Sequence, residues 1–198
     1  MPEQRGLLFV ISGPSGVGKD ALVTELLQRD TRLRYSVSYT TRPRRDYEIN
    51  GVHYNFVSRE TFERMVAEGA FLEWADYNGN LYGTSLAFVE ETPRMGLDVI
   101  LKIEVKGAET VRQRRPDGIF IFIAPPSLEE LARRRAARAD GEGQETLERR
   151  QEIAREEMAE AERYDRVVVN DQLETTVKEL QRIIRAERAK RLRVSNAN

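Results

Sequence analysis

The chain has 198 residues, 40% of them hydrophobic and 33% charged, which suits one ordinary globular domain with a real core. Its 32 Lys and Arg against 33 Asp and Glu leave a net charge of −1, so no global basic field draws it to nucleic acid or to a membrane. The absence of cysteine excludes a disulfide framework and any Cys-ligated metal, and the single histidine, His53, excludes multi-His metal sites and speaks against His-based catalysis.

The opening MPEQRGLLFVISGP is basic and then apolar, like a signal peptide. The apolar run is short and passes straight into a glycine loop, so it reads as a strand, and a cytoplasmic location is expected. Leu7–Ile11 is unbroken apolar, as a strand buried on both faces must be. Asp20–Arg29 has helical spacing at Leu22, Leu26 and Leu27. Asp98–Val105, Gly118–Ile123 and Arg166–Val169 read as further buried strands. Helical stretches are expected at Gly107–Arg115, Ser127–Arg138, Glu145–Arg163 and Glu174–Arg193, and this alternation predicts an α/β fold with a parallel sheet. Tyr35–Glu91 breaks the rhythm: it is rich in Tyr, Thr, Gly and Asn, with short alternating runs HYNFV, FLEWADY and NLYGTS, and reads as a small antiparallel or mixed insertion. Ser127–Arg163 is densely charged, with three arginines at 133–135 and a glycine-bearing break at 139–144. It reads as two solvated helices joined by a flexible turn.

The stretch GPSGVGKD, Gly13 to Asp20, has the spacing of a phosphate-binding loop up to its last letter. Gly13, Gly16 and Gly18 let successive backbone N–H groups turn inward around phosphate oxygens, the helix behind adds its dipole, and Lys19 adds a positive charge for β- and γ-phosphates. The loop as a whole, Gly13, Pro14, Ser15, Gly16, Val17, Gly18 and Lys19, lies between a buried strand and a helix, which is where such a loop has to sit. Asp20 stands where a Ser or Thr hydroxyl usually holds magnesium. It can ligate Mg²⁺ directly, hold a magnesium-bound water, or simply suit the helix dipole.

In the insertion, Arg42 and Arg45 with Tyr54 and Tyr82 are the right groups for a phosphate monoester: forked cations plus phenolic donors. Glu73 sits in an apolar and aromatic context, and its two oxygens can accept together from N1–H and N2–H₂ of guanine; Ser38 and Thr84 can add hydroxyl contacts. Adenine offers an acceptor at N1 and no N2 amine. Taken singly, each residue also has a plain structural reading: tyrosines favour strands, arginine runs are usually solvated helix faces, and Asn170 after RVVV fits a turn. Their joint spacing is what carries the chemistry.

At this point the chain resembles the guanylate kinases, through GPSGVGKD, SVSYTTRPRR with its following Glu, Gly, Tyr and Phe, FLEWADYNGNLYGTS, IEVKGA and YDRVVVND, from about Leu7 to Arg188. The resemblance implies a P-loop NTPase three-layer α/β core with a parallel sheet, a small mixed-β GMP-binding insertion and a helical lid. The parts it implies are core at 1–34, insertion at 35–91, core at 92–126, lid at 127–160, and core with a C-terminal helix at 161–198. It further implies ATP and GMP (with dGMP) as small-molecule substrates, Mg²⁺ as cofactor with Asp20 as its ligand, and neither nucleic acid nor membrane as partner. By the resemblance, Arg42, Arg45, Tyr54 and Tyr82 hold the GMP phosphate, Ser38, Glu73 and Thr84 read the base, Glu104 lies near the ribose and amine, and Asn170 contacts adenine. Lys19 and Arg42 with the lid arginines Arg134, Arg138 and Arg150 act on the transferring group; the 139–144 turn is one residue longer than usual, which leaves Arg149 as an alternative to Arg150. Against the family pattern, Asp20 replaces Ser or Thr, the proline of TTRPRR comes one place early, and Lys102 and Lys106 stand where Asp and Gln are frequent. Two rival readings remain. A ribose bisphosphate phosphokinase would share the G-K-D loop but not explain Glu73. A non-catalytic guanylate-kinase-like binding module would usually lack the intact Gly18-Lys19.

Overall fold

The computed structural model describes residues 5–77, 79–137 and 147–195; of 137, 147–151 and 194–195 it describes the backbone alone. In chain order the strands are β1 (Leu8–Ser12), β2 (Leu33–Tyr35), β3 (Tyr39–Thr40), β4 (Asn55–Phe56), β5 (Phe71–Tyr77), β6 (Asn80–Ser85), β7 (Asp98–Lys102), β8 (Ile119–Ala124) and β9 (Arg166–Val169). The helices are α1 (Lys19–Arg29), α2 (Arg59–Ala67), α3 (Leu86–Arg94), α4 (Val105–Arg114), α5 (Leu128–Ala137), α6 (Leu147–Ala159) and α7 (Leu173–Ser195), with a 3-10 turn at Glu160–Arg163. A five-stranded sheet runs β2-β7-β1-β8-β9, and its pairs β2·β7 and β8·β9 are parallel. A four-stranded mixed sheet runs β4-β3-β6-β5.

The chain divides into two compact units, residues 1–10 with 32–119 and residues 11–31 with 120–198. In the first, β7 is buried along Asp98–Leu101 because its side chains are apolar, apart from Asp98, whose Oδ1 accepts the Leu7 N–H at 2.7 Å. The expected strand at Asp98–Val105 stops at Lys102, because Glu104 already takes the N-cap position of α4. Ser58 starts α2 by accepting the Thr61 N–H, and Ser85 starts α3 by accepting that of Phe88, the usual work of N-cap hydroxyls. One face of the small sheet is apolar: Phe71 and Leu81 form a cluster with Phe62 of α2, against which Tyr39, Val57, Met65 and Val66 pack. Phe62 and Phe71 stack at 4.5 Å between centroids. A Cβ on Gly83 would lie 2.9 Å from Phe71 and 3.0 Å from Phe62, so this strand position has room only for glycine.

In the second unit, β8 is buried at every position from Phe120 to Ala124, as its unbroken apolar run requires. The helix α1 buries Leu22, Val23 and Leu26, and α7 buries Val177, Leu180, Ile183 and Ile184 at helical spacing; the two helices pack on each other. Two ion pairs tie the C-terminal end of α1 to α7, Arg29–Glu174 at 2.8 Å and Arg188–Asp30 at 2.7 Å. Asp165 accepts the Phe120 N–H at 2.7 Å, and Ser127 caps α5 by accepting the Glu130 N–H at 3.1 Å.

Candidate active site

In the first unit the register of the small sheet decides which side chains meet. Directly opposed residues of paired strands share a face, and residues two apart along a strand share it again. Glu73 opposes Thr84, Ala75 opposes Tyr82, Tyr82 opposes Thr40, and Thr40 pairs Phe56. The period of two adds Ser38 and Tyr54. Ser38, Tyr54, Glu73, Tyr82 and Thr84 therefore stand on one face, opposite the apolar cluster with α2. Residues from four separate stretches of sequence are brought onto one face by strand pairing and alternation.

Glu73 is only 6% exposed. Its Oε1 accepts the Thr84 hydroxyl at 2.5 Å, and a Cβ on Gly107 of α4 would lie 3.1 Å from Oε2. Burial pushes its carboxyl above the ordinary range, against the Thr84 hydrogen bond and the charge of Arg114, which pull it down. Arg114, in the last turn of α4, also donates to the carbonyls of Phe71 (3.3 Å) and Leu72 (2.7 Å), fixing the strand that carries Glu73. Glu104 is exposed at the N-cap position of α4, three residues before Gly107, and its side chain makes no capping bond.

Arg42 is held by the Glu that follows TTRPRR, a motif residue to which sequence reasoning assigns no role. Glu48, 5% exposed, forms a fork with Arg42, Nη2 to Oε1 at 2.6 Å and Nη1 to Oε2 at 3.0 Å, and accepts the Arg45 backbone N–H at 2.8 Å. The Glu48 hydrogen bond holds the Arg42 guanidinium above its ordinary pKa. Burial pushes the Glu48 carboxyl up, but the hydrogen bonds and charges of Arg42 and Arg45 outweigh it and keep it below the ordinary range. The Arg42 guanidinium carbon lies 5.5 Å from the Tyr54 ring centre and 5.6 Å from that of Phe56, and Tyr54 meets Tyr82 edge-on at 5.9 Å. Arg42, Tyr54 and Tyr82 thus form one cluster. Arg45 is exposed, with Nη1 donating to the Tyr47 hydroxyl at 2.9 Å.

In the second unit, Gly13, Gly16 and Gly18 all have positive φ, at 143°, 81° and 101°. Gly18 is the left-handed cap that opens α1. Its Cβ would lie 2.6 Å from the Asn170 side-chain nitrogen, so no other residue fits. Lys19 is buried at the first helical position, and Nζ donates back to the carbonyls of Gly13 (2.5 Å) and Pro14 (3.2 Å). Asp20, next along, is exposed in the first turn of α1. Asn170 is buried; its amide donates to the Val17 carbonyl at 2.8 Å, and its backbone N–H to Ala124 at 2.8 Å. Arg134 donates to Glu130 at 2.7 Å and to the carbonyls of Asn170 (2.9 Å) and Asp171 (3.3 Å), tying α5 to the turn after β9. Arg138 lies outside the described residues, and Arg149 and Arg150 are described only as backbone of α6.

Glu48 and Gly107 lie in motifs quoted from the sequence, but their roles, like that of Arg114, escaped sequence reasoning for different reasons. Glu48 and Arg114 sit among other charges. Gly107 did carry a signal, since glycine inside a helix costs about 1 kcal/mol against alanine and asks for a packing reason.

A glycine loop between a buried strand and the start of a helix, on a sheet with parallel pairs, makes this an α/β fold of the P-loop kinase kind. A gluconokinase structure from Sinorhizobium meliloti 1021 shares that fold, with a TM-score of 0.51 and 17% identity over 98% of both chains. The nearer likenesses are specific. The guanylate kinase family profile matches residues 5–187. The chain is 47% identical over 194 residues to the guanylate kinase of Halalkalibacterium halodurans, and 47% identical over 194 residues to that of Bacillus subtilis, in both cases over 98% of this chain and 95% of the relative. The crystal structure of guanylate kinase from Anaplasma phagocytophilum superposes with a TM-score of 0.76 at 34% identity, over 93% of this chain and 87% of that one. The chain belongs to the guanylate kinase family.

Proposed function

We propose that this protein transfers the γ-phosphoryl group of ATP to GMP, and to dGMP, giving ADP and the diphosphate. The observation that carries the reading is the buried Glu73 on the same sheet face as the tyrosines of an Arg42–Tyr54–Tyr82 cluster. A carboxylate has about four lone-pair sites, so Glu73 can hold the Thr84 hydroxyl and still accept N1–H and N2–H₂ of guanine. Adenine would leave it unpaired, and a site built on such polar groups can reject the wrong analogue by roughly 10⁴–10⁵ in favourable cases. Ser38 is the second hydroxyl for the base, and Glu104 serves the ribose and amine side.

Arg42, Arg45, Tyr54 and Tyr82 hold the GMP phosphate. One of its oxygens, already anionic at neutral pH, attacks the γ-phosphorus, and the bond to the β-phosphate oxygen of ATP breaks. No general base is required, which suits a chain with one histidine. Charge in the transition state spreads over the equatorial oxygens of the transferring group. The Gly13–Gly18 backbone, Lys19 and the lid arginines Arg134, Arg138 and Arg150 meet that charge, with Arg149 the alternative to the last. Asn170 serves the adenine side as well as the loop. The donor set suits a magnesium that arrives with ATP: such an ion keeps phosphate oxygens and waters and needs only one or two carboxylates. Asp20 is exposed beside the loop, and no group of three His, Cys, Asp or Glu suited to a metal occurs among the described residues. Bound there, the ion would neutralise phosphate charge. No described helix is long and apolar enough to cross a membrane. Nucleotide metabolism of this kind assigns the protein to the cytoplasm.

One assay tests the reading: purified protein with Mg-ATP and, in turn, GMP, dGMP, AMP, UMP or ribose 1,5-bisphosphate, scored by ADP formation. GMP and dGMP should turn over and the others should not. Turnover of ribose 1,5-bisphosphate instead, or of no acceptor, overturns it. Run as a magnesium titration, the same assay on Asp20→Ala should show a higher magnesium requirement, and Asp20→Ser should stay close to the parent; identical curves for Asp20→Ala and parent would remove Asp20 as a ligand.

A further inference from the structure

Side-chain donors capture several carbonyl oxygens of the glycine loop. Lys19 takes those of Gly13 and Pro14, and Asn170 takes that of Val17. A third captor comes from the end of the arginine run on α5, a position to which the sequence alone gives no role beyond a solvated helix face. Arg135 donates from Nε to the Ser15 carbonyl at 2.7 Å. Its stem lies on Gly16, whose Cβ would stand 2.7 Å from Arg135 Cγ. Its guanidinium is held from the far side by Glu157 of α6, Nη2 to Oε2 at 3.5 Å, with the two side chains only 16% and 17% exposed.

The peptide unit is planar and trans, so the Ser15 C=O and the Gly16 N–H point in opposite directions. A carbonyl drawn outward by Arg135 aims the Gly16 N–H at the concave side of the loop, where a phosphate oxygen accepts it. We propose that Arg135 is a positioning residue for the triphosphate: it orients the Ser15–Gly16 peptide before the nucleotide arrives, and Glu157 holds the guanidinium in place to do so. This rests on the reading of the glycine loop as the ATP site. Only a planar fork can donate to a carbonyl from one edge and to a carboxylate from the other, so lysine is a poor substitute although it keeps the charge.

The test uses the full chain with Arg135→Leu, Arg135→Lys and Glu157→Gln, checked for folding by thermal melting. Loss of one charged hydrogen bond predicts that Arg135→Leu raises the Kd and KM for ATP about tenfold, with the KM for GMP unchanged. Arg135→Lys should recover only a minor part, and Glu157→Gln should weaken ATP binding in the same direction by less. Hydrogen exchange of the 13–18 amides, measured without nucleotide, should be faster in Arg135→Leu. Unchanged ATP affinity in folded Arg135→Leu overturns the proposal. So does full recovery with lysine, or weaker binding with loop exchange unaltered, since either makes Arg135 a mere charge. If Arg135→Leu fails to fold, Glu157→Gln decides by the same measurements. Failure of the parent protein to bind ATP at all would instead bring down the underlying reading of the loop.

Discussion

Around the glycine loop, in the proposed reading, the anion meets backbone N–H groups and the Lys19 charge, while Asn170 and Arg135 hold loop carbonyls. On the small sheet the proposed arrangement is reversed: the side chains of Arg42, Tyr54, Glu73 and Tyr82 are the groups offered to the nucleotide, and the backbone register sets their spacing. The difference teaches where each region tolerates change. The loop needs its glycines, because Gly18 has φ 101° and no space for a Cβ, whereas Ser15 is exposed and contributes its carbonyl. The sheet needs its side chains, and its glycine, Gly83, matters for packing against aromatic rings on the far face.

The comparison breaks most sharply at Lys19, the one loop residue whose side chain carries a charge for the phosphates. Lys19→Met should lower kcat by roughly 10²–10³, the usual cost of one pre-placed charge-stabilising donor, with the KM for GMP little changed. An equal loss in GMP affinity would mean that the two regions do not act separately. Next comes Glu73. Glu73→Gln should reduce the preference for GMP over AMP by about 10²-fold or more, since the amide can no longer accept twice. The pH dependence has a definite sign. The folded-state pKa is raised above 4.5, so GMP binding weakens as pH falls through that raised value, and the Glu73 contribution to stability is present at low pH and lost as pH rises through it. Glu73→Gln should flatten both profiles.

The smallest effect is expected at Glu48, which touches the ligand only through Arg42 and Arg45. Glu48→Gln should raise the KM for GMP a few-fold to tenfold and lower stability by about 2 kcal/mol, as breaking a largely buried charged fork does. Its carboxyl lies below 4.5 in the folded protein, so its stabilisation is present above that value and is lost as pH falls through the lowered one; urea unfolding at pH 7 and pH 3 should show the variant and parent converging at the acid end. Equal stability at pH 7 would take the fork out of the account.

The strands buried on both faces were legible because an unbroken apolar run admits little else: β1 and β8 fall within a residue of expectation. β9 stands at Arg166–Val169 as expected, but as the edge strand of its sheet it buries only Val168, not the whole apolar run. β2 was not legible, being three residues with only Leu33 buried. Nor was α2, a nine-residue helix whose apolar face is only Phe62, Met65 and Val66, one i, i+3, i+4 set that is easily passed over inside a segment rich in strand-like runs. That Tyr54, Glu73, Tyr82 and Arg42 belong together could be read because tyrosine, arginine and an acid in an aromatic setting are an unusual combination. The residues behind them could not. Glu48 and Arg135 differ from neighbouring surface charges only in what they touch, and touch is set by register and helix packing rather than by local pattern.

Glu48 also sets the charge balance around Arg42, because the forked carboxylate gives that guanidinium its own counter-ion. Under the proposed reading, any anion that binds Arg42 has to compete with this partner. A small inorganic anion offers charge alone, whereas a guanine nucleotide adds base contacts that offset the exchange, so inorganic phosphate should compete only weakly with GMP.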